Sequence, residues 1–234
     1  MDLQKYIKEI QVNRSYVPIF EKSSECAAYC INVLNRLVIN KNGGKNGLIL
    51  NEDLNNFYQE LFAYLNNDIR VEEVNTLGTK TNWCLDKGLF IAGGYGVGKT
   101  LILDFLKEVK SKFNLSGIHT NAYQITKEYA TEQQNVNYLG YKEIVKCKNL
   151  FIDEVGDEPK VSKSYGNEEN VIYRTLKIKL DHIESQTFPK DKIFITTNLS
   201  ISELTERYGE RVMDRIKGSM NVIIFNPQLK SYRL

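Results

Sequence analysis

The stretch that most constrains this chain is Gly93-Gly94-Tyr95-Gly96-Val97-Gly98-Lys99-Thr100. It satisfies GxxxxGK[ST] at every fixed position and adds two glycines inside the pattern. Glycines let a backbone take positive φ and come close to an anion with no Cβ in the way. Successive N–H groups then turn inward and form an anion nest. Lys99 brings a point charge to the β/γ-phosphates of a nucleotide. Thr100 offers a hydroxyl to Mg²⁺ and opens a helix, and Leu101 continues it, so the helix N-terminus also favours the anion. The motif demands a strand before it and a helix after it. Gly88-Leu89-Phe90-Ile91-Ala92 reads as a buried strand, and Leu101 to Lys112 is apolar at helical spacing through Ile102, Phe105, Leu106 and Val109.

Downstream of the loop the pattern alternates between short strands and helices, which implies an α/β domain with a parallel sheet. Strands are expected at Gly117 to Asn121, Asn149 to Ile152, Lys192 to Thr196 and Asn221 to Phe225. With the strand at Gly88 that makes five. Helices are expected at Tyr123 to Glu132, Glu169 to Ser185, Ser200 to Tyr208 and Glu210 to Lys217, the third opening on a Ser200/Glu203 capping box. Val155 to Asn170 reads as a polar loop. Upstream, residues 1–80 read as a small helical region, separate in flavour from an 81–234 nucleotide-binding domain. One helix is expected over Ile19 to Ile39, with Phe20, Ala27, Ile31, Leu34 and Val38 on its face. A second is expected over Glu52 to Asn66, capped by Asn51. The Asn/Gly-rich stretch Asn40 to Gly47 joins them, as a connector or as a docking surface.

Two further strand ends carry polar groups. Leu150-Phe151-Ile152-Asp153-Glu154 ends in a pair of carboxylates, which at the C-terminal edge of a parallel sheet face the ligand crevice. Asp153 is suited to the Mg²⁺ shell opposite Thr100, and Glu154 to orienting and polarising a water. Ile193-Phe194-Ile195-Thr196-Thr197-Asn198 brings a neutral amide to the same edge, suited to hydrogen-bonding the γ-phosphate or the attacking water. Arg211 and Arg215 stand one turn apart on one helix face. They serve either as surface ion pairs or as charges presented to a neighbouring subunit.

Composition excludes little but bounds the class. A chain of 234 residues with 42% hydrophobic and 26% charged residues has the make-up of an ordinary globular protein. The net charge of +2 argues neither for nor against nucleic acid, so any such contact needs a local patch. The cysteines Cys26, Cys30, Cys84 and Cys147 have no zinc spacing, and reduced thiols in the cytoplasm are expected. Cys26 and Cys30 read as small apolar residues on one helix face. No apolar run reaches membrane-spanning length.

GGYGVGKT, LFIDE, ITTN and YGERVMDRI, in this order over about residues 85 to 230, resemble the AAA+ ATPases of the DnaC/DnaI/IstB group. The last segment is most similar to DnaC-type replicative helicase loaders. The resemblance implies a P-loop NTPase fold whose parallel five-stranded sheet is flanked by helices. It matches Gly93, Gly98, Lys99 and Thr100 to Walker A, Asp153 and Glu154 to Walker B, and Asn198 to sensor 1. Arg211 and Arg215 match the basic pair that includes the arginine finger, without distinguishing which is the finger. It implies ATP with Mg²⁺, hydrolysis to ADP and phosphate, ATP-dependent side-by-side assembly through that pair, single-stranded DNA as a ligand, and a replicative helicase gripped by the N-terminal region. After Asn198 two short helices, a strand and a tail use up the chain, so no helical lid domain is expected.

For DNA, Tyr123, Lys127, Tyr129, Tyr138, Tyr141, Lys142, Lys146 and Lys148 interleave aromatics with lysines, as does Lys160 to Tyr165, a pattern suited to base stacking along a basic groove. Most of these tyrosines also read as half-buried packing residues. Two other functions share much of the pattern: an IstB-like transposition helper on double-stranded DNA, and a P-loop small-molecule kinase whose lid arginines would be Arg211 and Arg215. Glu154 argues against the kinase.

Overall fold

The computed structural model of the protein describes residues 16–44, 47–48, 50, 52–73, 83–134, 140–160, 162–164, 167–186 and 191–225. Five parallel strands, β1 (Gly88–Ala92), β2 (Gly117–Asn121), β3 (Asn149–Asp153), β6 (Lys192–Thr197) and β7 (Met220–Ile224), form one sheet in the order β2-β3-β6-β1-β7. Parallel strands covered on both faces must be apolar on both faces. β1 is buried at every position, and β3 and β6 at all but one each.

Alternate residues feed two cores. Leu89, Ile91, Phe151, Phe194 and Ile223 face the first, with helices α1 (Ser23–Lys41), α2 (Glu52–Leu65) and α3 (Lys99–Val109). Phe90, Ala92, Leu150, Ile152, Ile193 and Ile195 face the second. It is closed by α4 (Ala122–Gln134), α5 (Gly140–Lys146), α6 (Val171–Ser185), α7 (Ile201–Tyr208) and α8 (Glu210–Ser219). Across β2, β3 and β6 the register aligns His119, Phe151 and Phe194. Their rings stack at centroid distances of 3.7 and 4.4 Å, a cross-strand ladder under α3.

The expected elements are present with shifted ends. α1 begins at Ser23 rather than Ile19, and its buried face runs through Cys26, Cys30, Val33 and Leu34, leaving Ile31 46% exposed. Of the expected face, Leu34 is buried and Phe20 and Ala27 pack against the core, so Ile31 is the member that turns outward. α2 inserts Leu54, Phe57, Tyr58, Leu61 and Leu65 into the same core as the sheet, where Phe57 meets Phe225 edge-on at 5.2 Å. α6 starts at Val171 because Asn170 caps it, its side chain accepting from Tyr173 N–H at 2.9 Å. Four elements were not expected, the first a short 3-10 helix at Ile69–Glu73. α5 lies before β3, and the polar stretch after β3 holds a short antiparallel pair, β4 (Ser162–Ser164) and β5 (Asn167–Glu169). Asn51, Tyr138 and Tyr165 lie outside the described residues. Among the described residues no helix is long and apolar enough to cross a membrane.

Candidate active site

At the C-terminal edge of the sheet lies a cavity of about 710 Å³. Tyr95, Gly96, Val97, Gly98, Lys99, Thr100 and Leu101 line one side, Asp153, Glu154, Thr196 and Asn198 another. Strand order explains the convergence. β6 lies between β1 and β3, and its register puts Thr197 beside Ala92 and Ile195 beside Ile152, so the three tips end level.

The loop after β1 is shaped as the motif requires. Gly96 and Gly98 sit at φ +81° and +92°, where a side chain is strained. Gly98 leads directly into α3. Lys99 is buried, and its ammonium donates to the carbonyls of Gly93 and Gly94 at 2.7 and 2.6 Å. Gly93 and Gly94 thus anchor the lysine, while the next seven residues face the cavity. Thr100 is exposed.

One hydroxyl organises the acidic tip. Thr196, fully buried, donates to Asp153 Oδ1 and accepts from Glu154 N–H at 3.1 Å. Glu154 is held at φ +58°, a left-handed conformation that costs a non-glycine residue about 1 kcal/mol or more. The turn is braced by Val155 N–H to Thr196 O at 2.9 Å and Thr197 Oγ1 to Val155 O at 2.6 Å. That bracing aims an exposed carboxylate out of the sheet edge. Asn198 makes a long contact, 3.5 Å, from its amide to Asp157 Oδ2. Thr196 was missed in the sequence, although a hydroxyl at the end of an otherwise apolar strand was its visible signal.

The remaining wall comes from the helical region. Val38, Lys41 and Asn42 at the end of α1, then Gly47, Leu48 and Leu50, then Leu54 and Tyr58 of α2 complete the cavity. Asn35 Oδ1 accepts from Leu48 N–H at 2.8 Å and pins this loop to α1. Lys41 pairs with Asp104 of α3. The Asn/Gly-rich connector is therefore part of the site, with an apolar lining beside the glycine loop.

Arg211 and Arg215 do not line the cavity. Arg211 is exposed on α8, whereas Arg215 pairs within its own chain with Asp181 and, at 3.7 Å, Glu184, both on α6. Of the aromatics read as base-stacking, Tyr129 and Tyr141 are buried against each other with ring centroids 4.9 Å apart, so neither can stack on a base. Tyr123 is 65% exposed at the start of α4, and Lys127, Lys146, Lys148 and Lys160 are exposed.

No protein-family model matches the sequence, and no curated protein matches it. Solved structures do. A crystal structure of the DnaC helicase loader is 18% identical, with TM-score 0.50 over 76% of this chain and 93% of that one. The replication initiator DnaA bound to AMPPCP and single-stranded DNA is 15% identical, with TM-score 0.51 over 79% of this chain and 50% of that one. A DNA replication initiation factor is 16% identical, with TM-score 0.50 over 76% and 48%. This chain thus spans about half of each initiator and nearly all of the loader. Its five-stranded parallel sheet flanked by helices is the fold it shares with the DnaC helicase loader.

Proposed function

We propose that this protein binds and hydrolyses ATP and works as a replicative helicase loader whose grip on single-stranded DNA depends on its nucleotide state. The observation that carries the reading is the meeting of Lys99, Thr100, Asp153, Glu154 and Asn198 around one cavity at the tips of β1, β3 and β6. In this reading the N–H groups of Gly94 to Leu101 and the Lys99 ammonium take the phosphates. The apolar wall of Val38, Leu48, Leu50 and Leu54 takes the base. Glu154 accepts a proton from the water that attacks the γ-phosphorus, the bond to the bridging oxygen breaks, and ADP and phosphate leave. Asn198 hydrogen-bonds the water or the γ-phosphate. Among the described residues no group of three or more His, Cys, Asp or Glu is gathered as a cage. Mg²⁺ at a nucleotide needs none, because one carboxylate, one hydroxyl and phosphate oxygens suffice with water. Asp153 and Thr100 would hold it, and it would neutralise charge on the β/γ-phosphates.

The loader assignment draws on the motif resemblance and on the fold shared with the DnaC helicase loader. The DnaA structure of this fold carries a nucleotide analogue and single-stranded DNA, which supports those two ligands here. Tyr123, Lys127, Lys146 and Lys148 are the exposed groups offered to DNA. Residues 1–80 are assigned to the helicase. The inner faces of α1 and α2 are committed to the core, so their outer faces are what a partner meets. The test is ATP turnover and single-stranded DNA affinity, with and without nucleotide, for the wild type and Glu154→Gln. The wild type is expected to hydrolyse ATP and to change its DNA affinity on binding it, and Glu154→Gln to bind ATP without turning it over. A wild type that neither binds ATP nor alters its hold on DNA would sink the reading. A preference for double-stranded DNA and a transposase would move it to the IstB-like alternative.

A further inference from the structure

The loop that carries Glu154 is tied to a distant part of the chain. Gly156 follows at φ +107°, where a side chain is strained and an added Cβ, 2.4 Å from Leu199 Cδ1, would push Leu199 aside. Its N–H donates to Glu158 Oε2 at 2.8 Å. The other oxygen of Glu158 accepts from Tyr208 OH at 2.6 Å and from Arg207 Nη2 and Nε at 2.8 and 3.2 Å. Arg207 also donates to the main-chain carbonyl of Glu158. The Glu158 and Arg207 side chains are 1% and 10% exposed. A buried ion pair of this kind adds little net stability over a well-packed apolar cluster, because desolvation cancels much of the attraction. What it does supply is one geometry, since two guanidinium nitrogens and a hydroxyl converging on one carboxylate oxygen admit few arrangements.

Arg207 and Tyr208 are the last two residues of α7. That helix starts from the Ser200 cap, just past Asn198, and ends at Gly209, which is also the entry to α8 with Arg211 and Arg215. Glu158 therefore fastens the loop after Glu154 to the joint between α7 and α8. None of the three side chains lines the cavity. We propose that Glu158, Arg207 and Tyr208 are a positioning cluster that locks the Glu154 loop to helix α8, so that the water-directing carboxylate of one copy and the arginines it offers to the next copy move together. This rests on the function proposed above, since it takes Glu154 and the arginines to serve hydrolysis.

The test uses the full chain with Tyr208→Phe and Arg207→Lys, both of which keep the bulk of the buried side chain. Turnover at saturating ATP, nucleotide affinity and thermal midpoint are measured together. Hydrogen exchange of residues 155–160 and 210–219 is compared with and without a non-hydrolysable ATP analogue. Turnover is expected to fall about tenfold or more, as small misplacements of reacting groups do, with nucleotide affinity within about twofold. In the wild type, analogue binding is expected to change exchange in both segments, and in the variants only in the loop. Turnover per folded molecule equal to wild type, with α8 still responding to nucleotide, would overturn the cluster's role while leaving the ATPase reading intact. A wild type without ATP turnover would instead strike the ATPase reading, and the exchange comparison would still decide whether the cluster couples loop to helix.

Discussion

The two ends of the sheet each draw a lysine in from solvent, and the two lysines have opposite surroundings. At the C-terminal edge Lys99 is parked on carbonyls of its own loop and borders a cavity of about 710 Å³. At the N-terminal edge Lys192 donates to Leu85 O at 2.5 Å and Tyr64 OH at 3.1 Å, and lies 4.7 Å from the Tyr64 ring centroid. That edge is plugged. Buried Trp83 donates to Glu60 at 2.9 Å, and Asn221 clamps the main chain of Cys84 at 2.7 and 3.0 Å. Strand-end lysines are therefore not functional by virtue of burial. Lys99 stands beside room for a ligand and a second set of polar strand tips, and Lys192 has neither.

The largest expected effect is at Lys99. Lys99→Ala should lower ATP turnover by about 10³-fold and nucleotide affinity by about 100-fold, the scale of removing a charged donor from a phosphate site. Lys192→Met should leave nucleotide affinity within about twofold, since it borders no part of the cavity. Isothermal titration with ATP separates the two, and an equal loss in both variants would break the comparison.

How much of this was readable in advance differs along the chain for physical reasons. The glycine loop, the two carboxylates and Asn198 were legible because each sits within a few residues of the strand that aims it. The capping box at Ser200 and Glu203 was legible for the same reason, and both of its hydrogen bonds are present. Thr196 was harder, because its role is to bridge β6 to β3, and that adjacency depends on strand order. Leu48, Leu50 and Asn42 were invisible as site residues, since only packing of α1 and α2 on the sheet brings them to the glycine loop. The Glu158 cluster joins residues about 50 positions apart, beyond any periodicity. Tyr129 and Tyr141 take the packing role expected of most of these tyrosines, but alternation of aromatics and lysines could not say which of them would face inward.

The comparison sharpens when the arginines of α8 are added as cations outside the cavity. Arg215 is held by Asp181 and Glu184, whereas Arg211 is exposed. If either serves a neighbouring copy, its alanine variant should lose about 10²-fold in turnover, the scale for one donor to developing charge, while nucleotide affinity is kept. Mixing that variant with Glu154→Gln protein should restore part of the turnover, since each copy then supplies what the other lacks. Arginine variants that lose nothing, or mixtures that restore nothing, would rule out service to a neighbouring copy and leave Arg215 to its pairing with Asp181 and Glu184.

The smallest effect isolates Lys192 as a matter of stability. Burial pushes its ammonium down to about 8 from the ordinary 10.5. Between those values the unfolded chain holds a proton that the folded protein has released, so stability rises with pH across the window and the burden is full below pH 8. Wild-type stability should therefore gain roughly 1–2 kcal/mol between pH 7 and pH 9.5 relative to Lys192→Met, which has no group to titrate there. Urea midpoints of the two proteins at both pH values measure the difference. Parallel midpoints would mean that Leu85 O and Tyr64 OH repay the burial of the charge in full, and the plugged edge would then hold its lysine at no net cost.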